Sequence, residues 1–457
     1  MSKKVHFIAI GGSAMHNLAI ALKIKGYDVT GSDDEIFDPA RTNLSKHGIL
    51  PENVGWFPDK IDNSIDEIIL GMHAKGDNPE LQKAKELGIP IYSFPEYIYK
   101  QSLDKTRVVI GGSHGKTTIT AMILHVLNKL NIDVDYLVGA KLEGYEVMVK
   151  LTTDNKYIVL EGDEYLTSAM DKRPKFHVYK PDIAVVSGIA WDHANVFKTF
   201  EDYLKQFEIF MQLIPENGTL IYCNDDENIV KLIENKDFAC KNIISYNLPK
   251  HEVRNGKTTI TSDSGNQYTI SVFGKHNLLN IEAAKNVCLQ LGVSEEEFYN
   301  AISDFKGALN RLQKVYENSQ SVVYKDFAHS PSKLMATLNA VKEQYPERRL
   351  IACFELHTYS SLSKEFLVNY KNTMQKADVA LVYFSPHALQ LKRLPDLDAE
   401  YVKEQFGRND LNVVTNPTDL KQFLLNQNYN NTNLLMMSSG NWDGLKVEEI
   451  INCEELN

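Results

Sequence analysis

Gly111-Gly112-Ser113-His114-Gly115-Lys116-Thr117-Thr118 stands between an apolar stretch, Val108-Val109-Ile110, and a segment in which Ile119, Met122, Ile123, Val126, Leu127 and Leu130 recur at spacings of three and four. The first pattern predicts a buried strand and the second one face of a helix. Strand, glycine loop, helix is the order a phosphate cradle needs. The glycines let the backbone turn and aim its N–H groups inward, the helix N-terminus adds partial positive charge, Lys116 reaches the outer phosphates, and Thr117 offers a hydroxyl to Mg2+. A nucleoside triphosphate is the ligand such a loop takes. Three residues separate Gly111 from Gly115, one fewer than in the usual P-loop, so the loop is a shortened variant. An ordinary glycine turn ahead of a helix is the bland alternative; the coincidence of strand, Gly-Lys-Thr-Thr and periodic helix disfavours it.

N-terminal to this loop, Val5 to Ile10 reads as a buried strand ending in Gly11-Gly12, with a helix from Ala14 to about Lys25 and a second strand from Tyr27 to Thr30 ending in Gly31-Ser32-Asp33. Glycines after the first strand and an acid about 20 residues on form the β-α-β arrangement of a Rossmann-type nucleotide site. The full Gly-x-Gly-x-x-Gly fingerprint is absent, which argues against NAD. A strand at Glu67 to Leu70, a loop at Gly71-Met72-His73-Ala74, a helix near Asn78 to Leu87 and a strand at Ile89 to Tyr92 complete a first α/β domain.

C-terminal to the loop, the strand Tyr157 to Leu160 ends in Glu161-Gly162-Asp163-Glu164, acids placed to hold the Mg2+ of a bound nucleotide; a solvated acidic turn is the alternative. The strand Ile183 to Val186 leads to Asp192-His193. If these two strands are neighbours in a parallel sheet, His193 and Glu161 emerge on one edge beside the phosphate loop. A metal ligand and a structural histidine are equally good accounts of His193 from the residues alone. The polar segment from Gly218 to Tyr268 carries no motif. Phe273-Gly274-Lys275-His276-Asn277-Leu278-Leu279-Asn280 opens a further helix, where side-chain amides cap the helix or read an adenine edge. From Arg311 onward strands at Val322 to Tyr324, Leu350 to Phe354, Val379 to Phe384 and Leu434 to Met437 alternate with helices, including one from about Ser332 to Gln344. Polar residues gather where these strands end.

The chain has 457 residues, too many for one comfortable core, with 43% hydrophobic and 24% charged residues. A net charge of −11 argues against a nucleic-acid or anionic-membrane binder. Five cysteines without a Cys-x-x-Cys pair fit free thiols in a reducing cytoplasm. Lys3 and Lys4 ahead of Val5 to Leu22 resemble a signal peptide, but Gly11, Gly12, Ser13, His16 and Asn17 interrupt that run; no stretch reaches the ~20 apolar residues of a membrane span.

Taken in order, Gly112 to Thr118, Glu161-Gly162-Asp163-Glu164, Asp192-His193, His276-Asn277-x-x-Asn280, Asn310-Arg311, and Asp326 with His329 resemble the motifs of the Mur ligases, ATP-dependent amide-forming enzymes of peptidoglycan metabolism, across essentially the whole chain. The opening Gly11-Gly12-Ser13-Ala14-Met15 and the His114 loop resemble the members that take UDP-N-acetylmuramate. Glu161 to Tyr165 followed by Asp171-Lys172-Arg173-Pro174-Lys175-Phe176 resembles the members that attach the tripeptide L-alanyl-γ-D-glutamyl-meso-diaminopimelate, in recycling, more than those that add L-alanine; Asp326-Phe327-Ala328-His329 does the same. Phe354 to Tyr359 resembles a motif of the alanine-adding members but lacks their arginine after the histidine. Several members carbamylate a lysine downstream of the Asp-His pair; the comparable position here is near Glu208, Lys205 is out of place for it, and the role is assigned to no residue.

The resemblance implies three α/β domains: residues 1–105, Rossmann-like and holding the UDP-sugar; 106–308, P-loop ATPase-like with a parallel sheet and holding ATP; and 309–457, Rossmann-like, binding the amino substrate and closing over ATP. It implies that Gly112, Ser113, His114, Gly115, Lys116, Thr117 and Thr118 hold the phosphates, Asn277 and Asn280 the adenine, Asp326 the ribose and Arg311 the phosphate tail. Thr117, Glu161 and His193 would hold metal, with Lys116, Glu161 and His193 catalytic. Gly12, Ser13, Asp33 and His73, with Lys75 nearby, would meet the UDP moiety, and His329, His357 and Ser439 the amine. ATP and Mg2+ are the expected cofactors, and small molecules rather than nucleic acid or membrane the expected partners of a cytoplasmic enzyme. A nicotinamide dehydrogenase leaves Gly115-Lys116-Thr117 unexplained; a P-loop switch module predicts phosphate release that ignores the muramyl substrate.

Overall fold

The structure, a computed structural model, describes residues 2–142, 144–191, 196–254, 256–308 and 311–451. It divides into two compact units, one of Met1–Ile189, Phe200–Tyr246 and Ala283–Val293, the other of Ala190–Thr199, Asn247–Glu282 and Ser294–Asn457. Among the described residues no helix is long and apolar enough to cross a membrane.

The first unit contains two sheets. In the first sheet the strands run Asp28–Ser32, Lys4–Ile8, Glu67–Leu70, Ile91–Ser93, all parallel. Parallel neighbours need crossover connections, which the helices Ser13–Ile24 and Pro79–Glu86 supply. The Asn78 side chain caps the second of these by accepting from the N–H groups of Glu80 and Leu81. The strand expected from Ile89 begins instead at Ile91, because the Ile89 N–H is taken by the Ala84 carbonyl at 3.0 Å, closing the preceding helix. Ser93 ends that strand and caps Phe94–Gln101 through a capping box with Glu96.

The second sheet has the order Asn242–Tyr246, Thr219–Cys223, Ile183–Val186, Thr106–Gly111, Tyr157–Glu161, Asp135–Leu137, Val149–Lys150, antiparallel only at the last pair. The strands ending at Glu161 and Val186 are therefore not neighbours. Thr106–Gly111 lies between them, pairing Ile110 with Glu161 on one side and Gly111 with Val186 on the other. The chain winds to one side of this strand and then to the other, and the crevice at such a reversal is where open α/β sheets bind ligands. The unassigned segment from Gly218 supplies two further strands to this sheet.

In the second unit His251–Arg254, Lys257–Thr261 and Gln267–Ile270 form an antiparallel sheet. The larger sheet orders Gln313–Glu317, Ser321–Asp326, Thr432–Met437, Arg349–Leu356, Val379–Phe384 and Asn412–Val414, with only the first pair antiparallel. Alternate residues feed separate cores: Tyr324, Phe354 and Leu435 on one face, Val323, Cys353 and Leu434 on the other. Burial on both faces explains why these strands read as continuous apolar runs rather than alternating ones. Among the described residues Cys223, Cys240, Cys288 and Cys353 are buried free thiols.

Candidate active site

The phosphate loop forms as its residues require. Gly112 has φ +131°, and an added Cβ there would collide with the Ser187 hydroxyl; Gly115, at φ +81°, precedes the helix Lys116–Lys129. The loop is tied to the neighbouring strand end by the Ser113 N–H donating to Gly188 O at 2.9 Å and the Ser187 N–H to Gly111 O at 3.1 Å.

Lys116 bridges the loop carbonyl of Gly112 and the carboxylate of Glu164, each at 2.6 Å. The other Glu164 oxygen accepts from the Tyr203 hydroxyl at 3.2 Å, and Tyr203 shares a 2.8 Å hydrogen bond with Ser113 Oγ. Burial works against the Lys116 charge, but the carboxylates of Glu164 and Asp163 outweigh it and hold its pKa above the ordinary value. Lys116 is thus a charged ammonium poised at the loop. The Glu164–Tyr203 support escaped the sequence: Glu164 was visible only as one acid in a cluster, and Tyr203 sits on a helix, Phe200–Gln212, with no motif around it.

Thr117 Oγ1 donates to Glu161 Oε1 at 2.8 Å, and Gly139 N–H to Glu161 Oε2 at 2.8 Å. Burial pushes the Glu161 pKa up, opposed by these two donors. One hydroxyl and one carboxylate side by side suit Mg2+, which takes few protein ligands and completes its shell with phosphate oxygens and water. Among the described residues no group of three or more His, Cys, Asp or Glu side chains is arranged to hold a metal. His193, with Asp192, and Asn310 lie outside the described residues.

A cavity of about 320 Å3 opens onto this site, lined among others by Ser13, Lys116, Glu161, Asp163, Lys175 and Tyr179. It brings Ser13, at the first turn after Gly12, to the phosphate loop. Asn17 helps to hold this turn in place, donating to Ser13 O at 2.8 Å and accepting from the Met148 N–H at 2.9 Å. Asp33 is buried and accepts from the Gly11 N–H at 2.6 Å, so it shapes the glycine turn. Burial raises its pKa to about 6 against the effect of that donor. His73 is exposed on its loop.

In the second unit Asn277 and Asn280 are buried at the start of Lys275–Gln290, and Asn277 Nδ2 donates to the carbonyl of Phe273 at 3.0 Å, a contact that ties the helix start to the residue before its glycine rather than capping its N–H groups. His276 is within electrostatic reach of Asp326: burial lowers its pKa and the aspartate opposes this. Asp326 accepts from the N–H groups of Leu312 at 2.6 Å and Ala328 at 2.7 Å. The Arg311 guanidinium lies 4.4 Å over the Phe327 ring. His329, His357 and Ser439 follow the ends of three adjacent strands, Ser321–Asp326, Arg349–Leu356 and Thr432–Met437, so the sheet gathers them at one edge. His357 Nδ1 is 3.5 Å from Glu355, and Gly440 packs so closely on the His357 ring that a Cβ would overlap it.

Residues 4–105 match the family model described as "Mur ligase family, catalytic domain", residues 110–288 "Mur ligase middle domain", and residues 310–440 "Mur ligase, glutamate ligase domain". A UDP-N-acetylmuramate–L-alanine ligase of Clostridium kluyveri is 32% identical over 388 residues, 81% of this chain and 82% of that protein. The solved structure of a UDP-N-acetylmuramate-alanine ligase from Thermotoga maritima superposes with a TM-score of 0.69 at 21% identity, covering 98% of this chain and 97% of that one. The UDP-N-acetylmuramate:L-alanyl-γ-D-glutamyl-meso-diaminopimelate ligase of Neisseria meningitides gives a TM-score of 0.60 at 25% identity, covering 67% of this chain and 99% of that one.

Proposed function

Because the chain belongs to the Mur ligase family, whose members are ATP-dependent, Mg2+-using, ADP-forming ligases of peptidoglycan synthesis, we propose that it joins the carboxyl of UDP-N-acetylmuramate to the α-amine of an L-alanyl group. The observation that carries this is the single cavity lined by both Ser13 of the first glycine turn and Lys116 and Glu161 of the phosphate site. An acid substrate anchored at the one turn reaches a triphosphate anchored at the other.

In the proposed reaction the muramyl carboxylate attacks the γ-phosphorus, an acyl O–P bond forms, the bond to the β-phosphate oxygen breaks and ADP leaves. The amine then attacks the acyl carbon and inorganic phosphate departs, with one amine proton released. Lys116 stabilises the negative charge that gathers on the phosphate oxygens, and the loop N–H groups fix their position. Thr117 and Glu161 are the residues that would hold Mg2+, which when bound supplies further positive charge there. His193 remains a proposed metal ligand. In the second unit Asn277, Asn280, Asp326 and Arg311 remain the proposed nucleotide contacts, and His329, His357 and Ser439 the proposed amine contacts. Both nucleotide substrates suit a cytoplasmic site of action.

For the amine, free L-alanine is favoured by the Clostridium kluyveri relative, which matches four-fifths of both chains. The tripeptide reading keeps a specific support of its own in the Neisseria structure and in the segment Asp171 to Phe176. Phosphate release with ATP, Mg2+ and UDP-N-acetylmuramate, run with L-alanine, with tripeptide and with neither, decides between them. Turnover is expected only when UDP-N-acetylmuramate and an L-alanyl amine are both present. Phosphate release indifferent to UDP-N-acetylmuramate would overturn the assignment in favour of a switch ATPase.

A further inference from the structure

We propose that Lys175 binds the carboxylate of the acid substrate in the reaction cavity, held ready there by Asp163. This presupposes the ligase chemistry proposed above and adds to it the group that receives the nucleophile.

The chemistry sets the requirement. A carboxylate must approach a triphosphate closely enough to bond to it, and the two repel, so the cavity must offer the carboxylate a cation of its own. Lys116 is committed to the loop: it bridges Gly112 O and Glu164 where the phosphates bind. Lys175 lines the same cavity as Lys116, Glu161 and Ser13. Its ammonium donates to Asp163 Oδ2 at 2.6 Å, with the lysine side chain 24% and the aspartate 36% exposed. An ammonium has three donors, and this bond uses one. The other aspartate oxygen, Oδ1, takes the Tyr165 N–H at 3.1 Å, which fixes the carboxylate that aims the lysine.

The backbone beneath is equally fixed. Residues 165–175 close on themselves through Thr167 N–H to Arg173 O at 2.9 Å and Lys175 N–H to Tyr165 O at 3.0 Å. The next residue, Phe176, is fully buried, stacked 4.5 Å from Phe210, and packed so close under Gly162 that a Cβ there would lie 3.2 Å from its own. A cation mounted on such a platform loses little freedom on binding, which is what preorganisation requires.

UDP-N-acetylglucosamine, which lacks the lactyl carboxylate, separates this contact from the rest of the substrate. By calorimetry without nucleotide, the parent chain is expected to prefer UDP-N-acetylmuramate by roughly tenfold or more, the scale of one charge-assisted hydrogen bond. In Lys175→Met the preference should fall to within about twofold with UDP-N-acetylglucosamine affinity unchanged, and Lys175→Arg should restore part of it. In turnover, Lys175→Met should raise the KM for UDP-N-acetylmuramate roughly tenfold and leave the KM for ATP within about twofold. A preference that survives in Lys175→Met overturns the proposal, as does equal loss of both sugars or a rise confined to the KM for ATP, which would assign the lysine to phosphate. Asp163→Asn, which keeps the lysine and frees it from its holder, provides the same readout with an intermediate loss if Lys175→Met fails to fold. A parent chain that ignores UDP-N-acetylmuramate in the phosphate assay fails the ligase assignment itself; one that turns over while Lys175→Met keeps its preference fails only Lys175.

Discussion

Asp33 carries a charge that its surroundings disfavour. It is buried, its pKa is raised to about 6 from 3.8, chiefly by burial, and Asp34 adds like charge beside it. A carboxyl whose folded pKa lies above its unfolded value stabilises the fold fully below the unfolded pKa, and this contribution disappears as pH rises through the folded one. Around neutral pH the chain therefore keeps a carboxylate where a neutral group would fold better. An amide oxygen can still accept from the Gly11 N–H. Asp33→Asn should accordingly gain about 1–3 kcal/mol on the parent between pH 4 and pH 7.5, read by urea titration at both pH values. A difference between variant and parent that does not change with pH would dismiss the buried charge as its source. Lys116 shows the opposite balance, since the acids beside it more than offset its burial. The two residues have similar burial problems and different neighbours.

At the scale of elements, the segment 165–176 is a platform rather than a linker. Phe176 anchors it: besides the Phe210 stack, its ring meets Phe207 edge-on at 5.4 Å. Both partners lie on Phe200–Gln212, the helix that also carries Tyr203 to Ser113 and Glu164. One helix thus supports both the phosphate loop and the Lys175 platform. Phe176→Ala removes an aromatic ring from a filled core and should destabilise the first unit by about 3–5 kcal/mol. Chemical denaturation followed by tyrosine and tryptophan fluorescence measures this. A loss under about 1 kcal/mol would mean that the segment is held by its backbone hydrogen bonds alone.

For the whole molecule, the phosphate loop predicts linkage. A ligand bound only by the folded chain stabilises it by about 2.7 kcal/mol at a hundredfold excess over Kd, which for chains of this size is a shift of several degrees in the melting temperature. A non-hydrolysable ATP analogue with Mg2+ should produce such a shift in the parent, and Lys116→Ala should reduce it sharply at the same concentration. An equal shift in both proteins would remove Lys116 from the nucleotide site. The melting temperature without ligand serves as the folding control for the variant.

The fold class was legible in the sequence because the central strands of the parallel sheets, such as Val108 to Ile110, Ile183 to Val186 and Leu350 to Phe354, are short apolar runs, helices such as Lys116–Lys129 keep an apolar face, and polar residues cluster where strands end. These are local signals, readable without knowing which strands pair; polar strands such as His251–Arg254 and Lys257–Thr261 left no such signal. The same holds for the loop from Gly111 to Thr118, whose glycines, lysine and threonine act within one turn of chain. Pairing was not legible. The position of Thr106–Gly111 between Tyr157–Glu161 and Ile183–Val186 depends on how the whole sheet packs, and a strand carries no mark naming its neighbour. For that reason only the tertiary structure joined Lys116 to Glu164 and Tyr203, brought Ser13 to the phosphate loop, and turned Lys175 into the same cavity. Sequence spells out groups that act through adjacent bonds; contacts across long stretches of chain are decided by the packing that closes them.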